Sequence, residues 1–336
     1  MRNRRNRRTH EPHHARLTLA RGLLGAAFAC HALICVAQTY PVRPVRVIAP
    51  TSPGSGSDIL TRVLTASLTQ SLGQQFIVEN RASGNGNLGA EIAARAPADG
   101  YHLFIMTITH AVNVTLYRSL AYDIVRDFAP VTQLASSPNV IVVHPSLPVQ
   151  SVSELVKLAK ARPGAINYAS AGTGSPVFLA TELFKARAGV SMIDVPYKGG
   201  GQAQASILAG ETSIYFASVV TAAPHVRSQR LRALAVTSAR RLALLPEYPT
   251  VAESGFPGYQ FGSWYGLLAP AKTPRDSVTA LRAATAAALN DAAINKRLID
   301  LGYVPVGDTA EEFAAFIRSE ITTLGALVKS LRLSAD

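Results

Sequence analysis

Val45-Arg-Val-Ile-Ala49, Pro50, Thr51-Ser-Pro-Gly-Ser-Gly-Ser57 and the spaced apolar residues Ile59, Leu60, Val63, Leu64, Leu68 and Leu72 decide the fold. The first five form a short β-branched run, closed by a proline that cannot continue a ladder of hydrogen bonds. The next seven are turn residues. The apolar positions beyond them recur at the three- and four-residue steps of an amphipathic helix, up to Gly73, a natural residue for a helix C-terminus. A strand feeding a tight Gly/Ser/Thr loop and then a helix is the building unit of an α/β fold.

The unit recurs on either side. Residues 76–78 read as a strand, 87–96 as a helix stopped by Pro97, and 103–107 as a third strand. Strands joined through helices need crossovers, so parallel pairing is expected. Further strands are expected over 131–135 and 140–143, and Ser151-Val-Ser-Glu154 is a capping box for a helix that Pro163-Gly164 ends. A strand over 166–169 runs into Ser170-Ala-Gly-Thr-Gly-Ser-Pro176 and a helix carrying Leu179, Leu183 and Phe184. A strand over 192–195 leads to Pro196-Tyr-Lys-Gly-Gly-Gly201 and another helix, and strands over 213–217 and 231–236 complete a second sheet. A strand over 264–269 and Ala-rich helices near 275–290, 291–301 and 309–331 finish the chain and pack back on the first sheet. The expectation is α/β with two lobes, residues 38–138 with 263–336 and residues 139–262, each a mainly parallel sheet flanked by helices.

The 336 residues carry 33 Lys+Arg against 21 Asp+Glu, a formal charge of +12. Much of that charge is local. Residues 1–37 hold seven arginines and one acid, which leaves 26 basic and 20 acidic residues, a balance of +6, in the remainder. With no long basic run beyond residue 37 and aromatics at 7%, a groove for nucleic acid has no support. Apolar residues at 48% and charged residues at 16% exclude a disordered chain.

The Arg-rich start, sixteen apolar residues from Gly22 to Ala37 and small residues at Cys35 and Ala37 read as a signal peptide over 1–37, cleaved before Gln38. The run is shorter than the ~20 residues of a spanning helix; an uncleaved anchor is the alternative reading. Cys30 and Cys35 both lie in this segment, and neither sits in a lipobox, so neither a disulfide nor a lipid anchor is expected in the mature chain. A periplasmic protein is expected.

Several chemistries lack their residues. His102, His110, His144 and His225 are scattered singly, without metal-ligand spacing, and neither a Gly-x-Ser-x-Gly elbow nor a Gly-x4-Gly-Lys-Ser/Thr phosphate loop occurs. Gly84-Asn-Gly86-Asn-Leu-Gly89 fits the dinucleotide pattern, but it does not follow the first strand and has no acid about 20 residues on, so it reads as a glycine-rich turn into a helix. No metal and no cofactor are expected.

Three strand–loop–helix junctions remain, Thr51–Asp58, Ser170–Pro176 and Lys198–Gly201. At such junctions the first N–H groups of the helix are unpaired and carry the positive end of its dipole, and glycine lets a ligand approach the backbone. A single loop of this kind is more simply a tight turn. Three on two lobes suit one anion-binding crevice between them. Asp58 reads as a helix cap rather than a ligand contact. An enzyme reading, a hydrolase using Ser57 or Ser175, lacks an evident histidine partner.

These residues also resemble a known family. Tyr40-Pro-Val-Arg-Pro-Val-Arg46, Pro53-Gly54 with Asp58, Leu72-Gly-Gln74, Val78-Glu-Asn-Arg81, Asp99-Gly-Tyr101, Tyr168-Ala-Ser-Ala-Gly-Thr-Gly-Ser175, Pro196-Tyr-Lys-Gly199, Leu231-Arg-Ala-Leu-Ala-Val-Thr237, Pro249-Thr-Val-Ala-Glu253 and Gly266-Leu-Leu-Ala-Pro270 match, in order, the Bug (TctC-like) substrate-binding proteins of tripartite tricarboxylate transporters. The resemblance covers residues 39–336. It implies a Venus-flytrap periplasmic binding protein, monomeric and not an enzyme, that clasps a small organic mono- or dicarboxylate and delivers it to a large and a small integral membrane subunit. A membrane sensor as partner shares the same site. Carried over onto this chain, the ligand loops fall on Thr51, Ser52, Gly54, Ser55, Gly56 and Ser57, on Ser170, Ala171, Gly172, Thr173, Gly174 and Ser175, and on Lys198 and Gly199. The chain departs from the family at Ser55, at Ala82-Ser83 and at Phe178, which stands where a histidine is often found and is either cleft or core.

Overall fold

Strand β1 (Val45–Ala49) buries Val45, Val47, Ile48 and Ala49, and its chain turns at Pro50 into helix α1 (Gly56–Leu72). The structure, a computed structural model, describes residues 40–82 and 84–335; the signal peptide expected over 1–37 lies outside them. Ser55 caps α1, its hydroxyl accepting from the Asp58 N–H, and Gly73 closes it in the left-handed region at φ 67°. The stripe Leu60, Val63, Leu64 and Leu68 is buried against Val47, Leu103, Ile105 and Leu267. Each such side chain taken from water contributes about 1.5–3 kcal/mol.

The elements that follow alternate along the chain. Strands β2 (Phe76–Asn80) and β3 (His102–Thr107) flank α2 (Asn87–Ala94), and α3 (Ile108–Leu116) leads to the long β4 (Phe128–Val143). Next come α4 (Val152–Ala161), β5 (Asn167–Ser170), α5 (Pro176–Ala188), β6 (Ile193–Pro196), α6 (Gly200–Ala209), β7 (Ile214–Ser218), α7 (Val219–Arg227) and β8 (Arg232–Val236). The chain ends with β9 (Gly262–Pro270), α8 (Arg275–Asn290), α9 (Ala292–Asp300), β10 (Val304–Pro305) and α10 (Ala310–Ser330).

The sheet order is β2-β1-β3-β9-β4-β7-β5-β6, with β10 and β8 also on β4. Pairing is parallel where helices make the crossovers, at β2/β1/β3 and at β6/β5/β7. It is antiparallel along β4 and β9, so the α/β sheet is mixed. The two strands expected over 131–135 and 140–143 are one sixteen-residue strand. Its first part pairs with β9 as far as Pro138↔Gly262, and its second pairs with β7 and β8 from Asn139↔Ser218 and Val140↔Val236. Pro138, which has no N–H to give, stands where the partner changes. Strand β4 therefore belongs to both halves of the sheet, and β9 carries the chain back to the first half.

Candidate functional site

A cavity of about 500 Å³ opens between the two halves of the sheet. Its wall is made from the first turns of helices. Residues at or beside the N-termini of α1 (Ser55, Gly56, Ser57), α2 (Gly86), α3 (Thr107, Ile108), α5 (Ser175, Pro176), α6 (Gly199, Gly200) and α7 (Ser218, Val220) all face it. Each terminus presents the positive end of a helix dipole, equivalent to roughly half a charge. No aspartate or glutamate is among the lining residues, and Lys198 is the lysine or arginine among them.

In the loop before α1, Thr51, Ser52, Gly54, Ser55, Gly56 and Ser57 all line the cavity. The hydroxyls of Thr51, Ser55 and Ser57 form a cluster, with Thr51 Oγ1 2.7 Å from Ser55 Oγ and a closer contact to Ser57. The loop is braced from behind. Asn80 Nδ2 donates to Thr51 O at 3.0 Å and to Asp58 Oδ1 at 2.9 Å, and the Gly54 N–H donates to Asp58 Oδ2 at 2.9 Å. Burial by itself raises the Asp58 carboxyl, but hydrogen bonds from Arg62, Gly54 and Asn80 outweigh it and hold it below the usual range. Asp58 is thus an ionised strut outside the cavity wall. Gly54, at φ 77°, makes the turn that places it.

The two other loops differ. Of residues 170–175, Ala171 and Ser175 line the cavity, whereas Ser170, Gly172, Thr173 and Gly174 are not among the lining residues. Ser170 is fully buried, and its Oγ accepts from the Gly172 N–H at 3.1 Å. Thr173 O accepts from Asn85 Nδ2 at 2.6 Å, and Gly174, at φ 82°, lies so close to Leu116 that a Cβ there would sit 2.3 Å from its Cδ2. This loop grips α3 and the Asn85 turn. Lys198 and Gly199 both line the cavity, together with Gly200 and Gly201. A Cβ on Gly199 would come within 2.9 Å of Ser52 Oγ, so the loops 51–57 and 198–201 approach each other there.

Sequence reasoning passed over other wall residues. His110 is fully buried, and its Nδ1 accepts from the Thr107 N–H at 3.1 Å, which leaves the proton on Nε2 facing Gly86 O at 3.4 Å. Burial takes it down to about 4, so the ring is neutral at pH 7. Burial, with Arg230 nearby, also lowers His225. Neither adds a charge to the cavity. Asn139, Gln204, Tyr215 and Tyr265 complete the inner wall. The Gly84–Gly86 segment is a 3-10 turn whose Gly86 packs on His110, as a glycine-rich turn and not a dinucleotide cradle. Phe178 is 7% exposed and belongs to the apolar core, which settles its place as core.

The hydrolase reading needs Ser57 or Ser175 in contact with a histidine. Ser57 contacts Thr51 and Ser55, Ser175 Oγ accepts from the Phe178 N–H, and the polar partners of His110 are Thr107 and Gly86. Among the described residues no group of three or more His, Cys, Asp or Glu has the arrangement of a metal site. No helix among them is long and apolar enough to cross a membrane.

The model of the tripartite tricarboxylate transporter family receptor, TctC, matches residues 60–333. Protein BugT of Bordetella pertussis is 35% identical over 295 residues, covering 87% of this chain and 90% of its own. The structure of R. palustris Rpa4515 with adipate superposes with a TM-score of 0.85 at 35% identity, covering 88% of this chain and 99% of that one. MatC from Rhodopseudomonas palustris with bound malate gives 0.81 at 31% identity, covering 86% and 100%. The chain is a solute-binding protein rather than an enzyme, and it belongs to the tripartite tricarboxylate transporter receptor family.

Proposed function

We propose that the chain captures a small organic mono- or dicarboxylate between two lobes, 38–138 with 263–336 and 139–262, and delivers it in the periplasm to the large and small membrane subunits of a tripartite tricarboxylate-type transporter. One observation carries the reading: six helix N-termini converge on a cavity whose wall contains no acid. A carboxylate supplies the acceptors that first-turn N–H groups lack. The adipate of Rpa4515 and the malate of MatC support the substrate class. The segment 1–37, read as a signal peptide, supports the compartment. Both lobes of the site lie on one chain, so a monomer suffices.

Ligand that binds only the closed native form stabilises it by about 2.7 kcal/mol at 100 times its Kd. Thermal melting against a panel of aliphatic and aromatic mono- and dicarboxylates, beside their neutral amides, tests the reading. One or more acids raise Tm by several degrees while the amides do not. A shift with amides and none with acids refutes it.

A further inference from the structure

Two amides in the cavity wall are left without a full set of partners. Gln204, in the second turn of α6, is 8% exposed and lines the cavity. Its Oε1 faces the Thr221 hydroxyl at 3.4 Å, and its Nε2 has no hydrogen-bond partner. Asn139, at the point where β4 changes partners, is 1% exposed. Its Nδ2 donates to Phe216 O at 2.6 Å, and its Oδ1 is unpartnered. An orphaned buried polar group costs about 1–3 kcal/mol, so such groups in a binding cavity mark where a ligand or its water is received.

The surroundings decide what is received. Val177, Pro176, Val220 and Pro224 make neighbouring wall apolar, suited to a hydrocarbon chain. A hydrocarbon tail satisfies neither amide. A carboxylate seated on helix N-termini brings acceptors to those termini and leaves the rest of the cavity to the remainder of the molecule.

Resting on the carboxylate reading above, we propose that Gln204 is a specificity-determining residue: its Nε2 donates to an oxygen that the ligand carries in addition to its bound carboxylate. The ligand is then a functionalised acid, bearing a second carboxylate, a hydroxyl or a carbonyl, and not an unsubstituted fatty acid. Asn139 Oδ1 accepts from a hydroxyl or from a bridging water. A neutral amide discriminates because an analogue without the oxygen leaves the donor buried and unpaired, which a site built for hydrogen bonding rejects more strongly than an apolar pocket rejects a missing methylene.

Straight-chain acids of four to eight carbons in three series, unsubstituted, ω-hydroxy and α,ω-dicarboxylic, test this by calorimetry on the wild type, Gln204→Leu and Gln204→Glu. The best substituted acid binds the wild type at least about tenfold tighter than the unsubstituted acid of the same length. Gln204→Leu closes that gap to about threefold or less by weakening the substituted acid alone. Gln204→Glu turns the donor into an anionic acceptor and weakens the dicarboxylic acid more than the hydroxy acid; it keeps the test alive if the leucine variant fails to fold. Three results overturn the proposal: unsubstituted acids binding as tightly as substituted ones, a gap that survives Gln204→Leu, or equal weakening of every series, which would put Gln204 on the shared carboxylate. Binding of neutral solutes with no acid bound in any series would instead overturn the carboxylate reading, and this proposal with it.

Discussion

The loops 170–175 and 198–201 have the same texture, sit in the same half of the sheet and each open a helix, yet they do different work. Helix α5 closes its own N-terminus. Ser175 accepts from the Phe178 N–H, and Pro176 at the first helical position has no N–H to offer. The loop before it turns to the other half, where Asn85 holds Thr173 and Gly174 packs on Leu116. Helix α6 follows Gly199 with no side-chain cap, and Gly200 and Gly201 fill its first two positions. Its entire loop faces the cavity. Of these two loops, the one whose helix leaves its first donors open lies wholly on the cavity, and the one whose helix is capped by a side chain serves as a joint to the other half.

The largest effect expected at the joint comes from the surface it grips. Helix α3 carries His110, held neutral by burial at about 4 against an unfolded value near 6.5. Between those values the unfolded chain binds a proton that the folded one does not. The stability is therefore complete above about pH 6.5 and is lost as pH falls toward 4, to an extent of about 3 kcal/mol. Urea midpoints from pH 7 to pH 4.5 should fall more steeply in the wild type than in His110→Gln. Carboxylates held low elsewhere, such as Asp58, are common to both proteins and cancel in the difference. Equal slopes would detach His110 from the stability of this face.

A smaller effect is expected from the joint itself. Asn85→Ala removes the 2.6 Å hydrogen bond to Thr173 O that spans the halves. One ordinary hydrogen bond is worth about 0.5–1.5 kcal/mol, so carboxylate affinity should weaken about two- to tenfold, mainly through faster dissociation. Calorimetry with stopped-flow release checks it. Unchanged release would mean that the closed form does not depend on this contact.

Much of this comparison was legible in the sequence, and the reasons for the rest are physical. The strand–loop–helix units at 45–72, 166–188 and 192–209 stood out because strands are short, glycines mark the loops and the helices end in glycine or proline. Helix α3 did not. Ile108-Thr-His-Ala-Val-Asn-Val-Thr-Leu116 is β-branched and buried on most of its faces, so it has no amphipathic period to read. Helix α7 hides behind Pro224. Strand β4 looked like two strands because Ser136-Ser-Pro138 has the composition of a turn, while its long antiparallel partner, β9, lies more than a hundred residues away in sequence. The same remoteness hid the antiparallel centre of the sheet. In the cavity, the loops were visible as motifs, but Asn85, Asn139 and Gln204 are single amides whose role depends on what tertiary folding puts opposite them. Nor did glycine and serine content distinguish loop 170–175 from loop 198–201. The distinguishing signal, Ser-Pro against Gly-Gly-Gly at the helix start, was present and is readable once capping is considered.

The central claim is that open first-turn donors of α6 hold the carboxylate. Proline at a first helical position is tolerated by the helix and removes one N–H, as Pro176 already does in α5. The direct measurement is calorimetric affinity of Gly200→Pro for whichever acid stabilises the wild type, beside Ser175→Ala, with the melting temperature of each ligand-free protein. The account predicts that Gly200→Pro binds at least about tenfold more weakly, as expected for a lost charge-assisted hydrogen bond, with a nearly unchanged ligand-free Tm. It predicts that Ser175→Ala loses about 1 kcal/mol of stability and keeps its affinity within about twofold. Normal affinity in Gly200→Pro together with a large loss in Ser175→Ala would contradict it, and would move the anion site from the open helix to the capped one.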